Sequence, residues 1–580
     1  MGGGVRRRWA IRFGLLLALA WLAGTGWLLV SVRSAARQGD AELRRVRRHA
    51  TISKLLDPAA ERDLTRAAAD FDRARSRLDN PLLVPLRAVP VVSRHLGAAR
   101  GATRGAHQAA VVARDALGPL RTLVERDHAT GPQRLALLRD LGRVARRVDT
   151  ALGRIDLPDP RRLAHPVGDP VAELRDQRTK GRQAVRRLAR VSDAVAAMLD
   201  GPSPYLLVGA NNAEMRAGSG MFLSAATLGL DHGRLHLGDV RPTAELVLPK
   251  GSVAVHGDLA ANWPWLDPGR DLRNVSLTAD FPQVGPVAAA NWARQASGAK
   301  VGGVLVVDVD GVRALLRAVG PVRADGIRYT SANIRGELLR NQYRRFASDR
   351  AVRRDQLGAV ARAVFDRLEA GQWKVGPLAD ALVDAVQGRH VLVWSSDAAT
   401  QRAWREVGAD GSLDRRSLSV ALLNRGAEKL DSYLDTRATV VHRRQRDGRI
   451  RLTLRYRVTN RSPASGPAYL VGPNVAGLSV GDHRGLVVAN VPGGSDDVTI
   501  TGGRQFLDGR DGPTRAVGAE ILVRRGRRVT VTVSALLPAG FDDAVLEPAA
   551  RISPTSWVLD GETFSRDRRR TVSLVGGDPP

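Results

Sequence analysis

Between Phe13 and Val32 the chain carries no charged side chain, and this run limits where everything attached to it can fold. A helix of about 20 apolar residues spans the hydrocarbon core of a bilayer. Arg6, Arg7, Arg8 and Arg12 precede the run, which favours an N-terminus on the cytoplasmic side. Arg33, Arg37, Arg44, Arg45, Arg47 and Arg48 follow it closely and blunt that asymmetry. The competing reading is a cleaved signal peptide; against it, the run is longer than a usual signal core, and Ser34-Ala35-Ala36 is only a passable cleavage site. The expectation is therefore a cytoplasmic segment 1–12, a single transmembrane helix 13–32 in the cytoplasmic membrane, and the bulk of the chain outside the cytoplasm.

Composition decides which partners suit such a protein. Of 580 residues, 89 are Lys or Arg and 59 Asp or Glu, a net charge of +30 carried almost wholly by arginine. This arginine bias, with abundant Ala, Gly and Val, fits a GC-rich, actinobacterial type of coding sequence. A basic chain invites a nucleic-acid reading, but the arginines are spread over every segment. No zinc-finger spacing, RRM-like aromatic motif or basic zipper is present, so no nucleic-acid partner is expected. Anionic lipid, lipid-linked phosphate or acidic wall polymer suits the charge better. Cysteine is absent, which excludes disulfides, thiolate chemistry and Cys-ligated metals.

Residues 33–200 read as a helical stalk or bundle. Leu64, Ala67, Phe71, Ala74 and Leu78 step by three and four, as do Leu141, Val144, Val148, Ala151 and Ile155. Pro81, Pro85 and Pro90 break the first array, and the Pro158–Pro170 stretch breaks the second. A spacer is the plainer role; dimerisation through a helical seam is the other.

After Gly201-Pro202 the pattern changes to strands alternating with helices, an α/β unit expected over 201–430. Tyr205 to Gly209 is a short buried strand, Met221–Leu230 and Leu235–Val240 form a hairpin, and Val301–Val307 is a further strand before a helix at Val312–Val319. From 433 onward the chain reads as a β-sandwich of immunoglobulin-like type: Ile450, Leu452, Leu454, Tyr456 and Val458 alternate with charged or polar residues, and Val529, Val531 and Val533 do the same. The fold class is multidomain α+β.

Tyr205-Leu-Leu-Val-Gly209, Asn211-Asn-Ala-Glu-Met-Arg216 and the glycines 218 and 220 resemble the start of the bacterial domain of unknown function 4012 family. Asn274, Ser276, Asp280-Phe281-Pro282, Gly302-Gly303-Val304, Asp308, Gly320-Pro321, Thr330 and Asn333 continue the likeness over roughly 200–370. Gly302 departs from the acidic residue usual there. The family is in turn distantly similar to the LytR-CpsA-Psr phosphotransferases, which move glycopolymers from polyprenyl-pyrophosphate carriers to the cell wall. That resemblance implies arginines around a pyrophosphate and an acidic residue assisting a metal such as Mg2+. Arg241 in Asp239-Val-Arg-Pro-Thr243 and the Arg-rich stretch holding Arg345 and Arg350 match such arginines. The catalytic acidic stretch is unmatched, since Met221-Phe-Leu-Ser224 stands there.

Guanidinium groups grip phosphate bidentately, so Arg216, Arg241, Arg345 and Arg350 are phosphate-binding candidates; in so basic a chain, solvated loop arginines are the plain alternative. Glu214 and Asp280 are the candidate catalytic or metal-holding carboxylates; a salt bridge for the first and a turn cap for the second compete. Two functions follow. One is an envelope protein that binds, or also transfers, a polyprenyl-phosphate-linked glycan or wall polymer, in the manner of a glycopolymer phosphotransferase of cell-wall or exopolysaccharide assembly. The other is a non-catalytic envelope scaffold or adhesion protein.

Overall fold

The computed structural model describes residues 3–48, 51–295, 298–345, 350–564 and 568–575; the side chains of 3–19, 22, 48 and 350–357 lie outside that description. The chain is a multidomain α+β protein with a helical N-terminal part and a β-rich C-terminal region, and it divides into two compact units, 1–126 with 136–193, and 127–135 with 194–580.

The first unit is built around helix α2 (Pro58–Leu78), which packs on α1 (Gly3–Arg48) and on α3 (Pro90–Glu125). Asp57 caps α2 by accepting from the Ala59 N–H, and Pro58 occupies its first position, where a missing N–H costs nothing. The face expected from the spacing is the buried one: Ala74 and Leu78 meet Leu28, Val32 and Ala35 of α1, while Ala67 and Phe71 meet Ala106 and Ala110 of α3. The three prolines fall where the helix stops, and two short 3-10 turns lead from Pro81 to Ala88. Pro170, by contrast, lies inside the helix that begins at His165. So near a helix start it removes one hydrogen bond without ending the helix. Among the described residues no helix is long and apolar enough to cross a membrane. Most of the first half of the 13–32 run has its side chains outside the described set.

The second unit opens with a mixed sheet. Strands β1 (Tyr205–Met215), β2 (Gly220–Asp231), β3 (Arg234–Leu237), β4 (Arg241–Pro242), β5 (Gly303–Asp308) and β8 (Val391–Ser395) pair in the order β3-β2-β1-β5-β8, with β4 beside β2; β6 (Val322–Ala324) and β7 (Ile327–Tyr329) form a separate hairpin. β1 and β5 run parallel, Tyr205 opposite Gly303 through Ala210 opposite Asp308. Gly303 is required there, because a Cβ would lie 2.2 Å from the Tyr205 ring. Gly220 is required for a similar reason, since its Cβ would sit 2.5 Å from the Asn211 carbonyl carbon.

Two six-stranded sheets follow. One has the order β13 (Asp496–Thr501), β16 (Arg528–Leu537), β11 (Ile450–Asn460), β10 (Leu434–Arg444), β18 (Ser556–Leu559), β19 (Glu562–Phe564). The other runs β14 (Arg504–Asp511), β15 (Thr514–Val523), β12 (His483–Val491), β9 (Ser417–Asn424), β17 (Asp543–Glu547), β20 (Arg570–Ser573). Their inner faces share one core, in which Leu452, Leu454 and Tyr456 meet Val487, Ala489 and Val517. Two features differ from the expected immunoglobulin-like module starting at 433. Its second sheet takes a strand, β9, from before that residue, and both sheets contain a parallel pair, β10 with β18 and β9 with β17. The outer face of the second sheet is also covered: Ala421, Leu423, Leu486 and Val488 belong to the same core as Leu206, Val208 and Val304 of the α/β sheet.

Candidate functional site

The Asn211–Arg216 segment lies at the end of β1, where the α/β sheet meets the β region. Almost every side chain in it is buried and engaged. Asn211 donates to the Tyr343 hydroxyl at 3.0 Å, and Asn212 donates to Asp308 and to the Ala550 carbonyl, both at 2.7 Å. Glu214 forms an ion pair with Lys429, and Arg216 donates to the Asn424 carbonyl at 3.1 Å. Glu214 and Arg216 thus reach the same loop, as their spacing about Met215 requires. Asp431 of that loop accepts from the Met215 N–H at 3.2 Å and from Arg551 at 3.0 Å, and the Asp431–Arg551 pair is 1% exposed on each side. Glu428 accepts from His483 Nδ1 at 2.6 Å.

These charges are costly to bury, and the protonation equilibria record it. Burial pushes the Lys429 ammonium down to about 7, against the pull of Asp431. Burial likewise lowers Arg216 to about 10, with Arg425 adding like-charge repulsion. For His483 burial acts downward, but the hydrogen bond and charge of Glu428 prevail and raise it. A set of three acids and three bases in one dry joint holds its members in fixed geometry, because each unpaired charge would be uncompensated.

The structure does not gather the four expected phosphate-binding arginines around the motif. Arg216 is inside the joint. Arg241 is half-buried on β4, with its backbone opposite Ala225. Arg345 is exposed and pairs with Glu337 at 3.2 Å. Arg350 opens helix Arg350–Glu369, but its side chain lies outside the described residues. Beside Arg241 there is an apolar cavity of about 70 Å³, lined by Leu207, Ala226, Val240, Leu315, Leu338 and Val364 among others, between the sheet and the helices Val309–Val319 and Arg350–Glu369.

Neither carboxylate candidate fits a divalent cation. Glu214 is neutralised by Lys429, whereas Mg2+ calls for carboxylates free to bind it. Asp280 accepts from the Leu413 N–H at 3.0 Å and from Gln283 at 3.2 Å, joining two segments as a structural carboxyl. Burial raises its pKa, with these hydrogen bonds opposing. Its neighbour Asp511, pushed up to about 6 by burial in the first place, accepts from Ala279 N–H and Asn490 and is also bonded to Thr278. Among the described residues no group of three His, Asp or Glu side chains could hold a metal.

One cluster went unread in the sequence. His390, just before β8, bonds through Nδ1 to Asp308 at 2.7 Å, and its Nε2 lies 3.6 Å from Asp310. Arg335 pairs with Asp310 through two nitrogens. With Arg313, Arg317 and Arg568 these groups line a polar cleft of about 350 Å³. The Asp308 carboxylate fixes the imidazole tautomer, and the arginines give the cleft oxyanion-binding chemistry. Only the spacing of Asp308 and Asp310 hinted at it; His390 and Arg568 come from far along the chain.

Residues 200–343, which hold β1 through Tyr343 and so the motif and its partners Asp308 and Tyr343, match the model of a family described as "Protein of unknown function (DUF4012)". This segment belongs to that family. No curated protein and no solved structure matches the chain.

Proposed function

For a chain whose α/β segment belongs to this family of unknown function, we propose a membrane-anchored, extracytoplasmic role at the cell envelope: binding a lipid-linked phosphorylated glycan through the α/β domain. The observation that carries this reading is the apolar cavity beside Arg241. An isoprenoid tail needs an apolar recess, and its phosphate needs a guanidinium at the edge of that recess; Val240 lines the cavity and Arg241 follows it in the chain. The distant similarity to the LytR-CpsA-Psr enzymes supports the same ligand class. The uncharged run Phe13–Val32 supports the anchor. Group transfer is not part of the proposal, because Glu214 and Asp280 are committed to Lys429 and to Leu413 with Gln283.

A second reading, an envelope scaffold or adhesion protein that binds no lipid carrier, is favoured by the burial of Arg216 and the exposed pairing of Arg345. Native mass spectrometry of the detergent-extracted chain separates the two, with co-purifying polyprenyl phosphate expected for the first. In titration with polyprenyl phosphate, Arg241→Ala should weaken binding about tenfold or more, the scale of one hydrogen bond to a charged group. Absence of bound carrier together with unchanged affinity in Arg241→Ala selects the scaffold.

A further inference from the structure

The Pro81–Val91 connection between α2 and α3 is unusual in what it leaves outside. Leu82, Val84, Val89 and Val91 are 44%, 53%, 47% and 60% exposed, and Trp27 and Val30 of α1 are 70% and 68% exposed. The two groups are neighbours. The indole of Trp21 donates to the Leu82 carbonyl at 2.9 Å, and Leu83 is buried in one cluster with Leu28 and Val32. Soluble proteins scatter exposed apolar residues singly; a contiguous group with an exposed tryptophan marks a surface that is covered.

What covers it follows from its position on α1. The patch adjoins the C-terminal half of the uncharged Phe13–Val32 run, so whatever solvates that run reaches the patch. It is bounded on the other side by charge: Arg77 donates to the Ser31 carbonyl at 2.7 Å, Asp79 forms an ion pair with Arg100, and Arg33 follows Val32. The connection also carries Arg87, whose guanidinium donates to the Leu78 carbonyl at 3.2 Å, within the same segment as the apolar tips. Apolar tips beside tryptophans, with arginines one level above, is the pattern of a segment resting in the bilayer interface.

We propose that Pro81–Val91 is a second membrane contact, a proline-ruled collar that enters the lipid interface beside the anchor and fixes the tilt of the α1–α2 pair. The inference rests on the anchor reading of residues 13–32. The prolines suit the task, since they hold the connection in rigid 3-10 turns without the unpaired N–H groups a loop would bring into lipid.

The chain contains no cysteine, so single-cysteine variants of the full protein report position directly. Val84→Cys, Val91→Cys, Leu17→Cys and the exposed α2 control Thr65→Cys are reconstituted in vesicles of mixed zwitterionic and anionic lipid and reacted with a membrane-impermeant maleimide. Expected is protection of positions 17, 84 and 91, with about tenfold slower labelling than at 65 if burial in lipid costs about 1.4 kcal/mol or more, and loss of protection at 84 and 91 in a non-denaturing polymer without lipid. Protection at 17 with rapid labelling at 84 and 91 overturns the collar and leaves the anchor standing. Rapid labelling at 17 as well overturns both.

Discussion

The two sheets of the β region are built from similar residues and end in different surroundings. In β11 the inward Leu452, Leu454, Tyr456 and Val458 are buried, while Arg455 and Arg457 face water. In β9 all eight residues are buried: Leu418, Val420 and Leu422 enter the sandwich core, and Ala421 and Leu423 enter the core of the α/β sheet. One sheet is a boundary with solvent; the other is the middle layer between two cores. The difference explains why ion pairs at the middle layer's end, Glu214 with Lys429 and Asp431 with Arg551, are dry, while Arg451 pairs with Asp497 on the wet sheet at the surface. A surface pair is worth about 0–1 kcal/mol; a buried one mainly penalises the loss of either partner.

The strongest test of this contrast is dissection. A fragment beginning at residue 433 lacks β9, which lies between β12 and β17, and exposes the outer faces of Leu486 and Val488. It should fail to unfold cooperatively and should bind a hydrophobic dye; a sharp two-state melt would show that the second sheet is not a shared layer. Next in size, Lys429→Met leaves Glu214 charged and unpaired in the joint and should cost about 3–5 kcal/mol in denaturant unfolding of the full chain. Adding Glu214→Gln should return much of that loss, and strictly additive effects would mean the two side chains are not coupled.

A smaller effect compares apolar positions on the two sheets. Leu486→Ala, at 3% exposure on the covered face, should cost about 2–4 kcal/mol, whereas Val441→Ala, at 46% exposure on the wet face, should cost about 0.5 kcal/mol or less. Equal losses would erase the distinction. The last test uses pH. Burial raises the Asp511 carboxyl at the end of β14 from 3.8 to about 6, so the folded chain holds this proton more tightly than the unfolded one. The stability it contributes is complete below about 3.8 and is lost as pH rises through about 6. The Tm of the natural chain relative to Asp511→Asn should therefore fall across that window, and parallel profiles would argue against a neutral, buried carboxyl.

The one-sided elements were legible in the sequence because water imposes a period on them. The Leu64–Leu78 face of α2 and the alternation of β11 both lie where periodicity puts them. β9, Ser417 to Asn424, shows no alternation, since neither face is wet, and it passed unread as the sandwich's own strand. The site divided in the same way. The Asn211–Arg216 motif was recognisable as a unit, and the side on which Glu214 and Arg216 lie followed from strand geometry. Their partners Lys429 and Asn424 were not, because they stand more than 200 residues away and sequence spacing carries no record of that approach.

Local patterning thus determined the helical N-terminal part, the α/β succession and the β-rich end, and it picked out the residues of the family segment. Tertiary structure alone decided that the β region and the α/β sheet share a core, that the motif's charges are spent in a dry joint, and that His390 is joined to Asp308 in an arginine-lined cleft. The reason is physical: solvent contact writes a period into sequence, whereas burial between two surfaces, and pairing between distant charges, depend on contacts that only the folded chain makes.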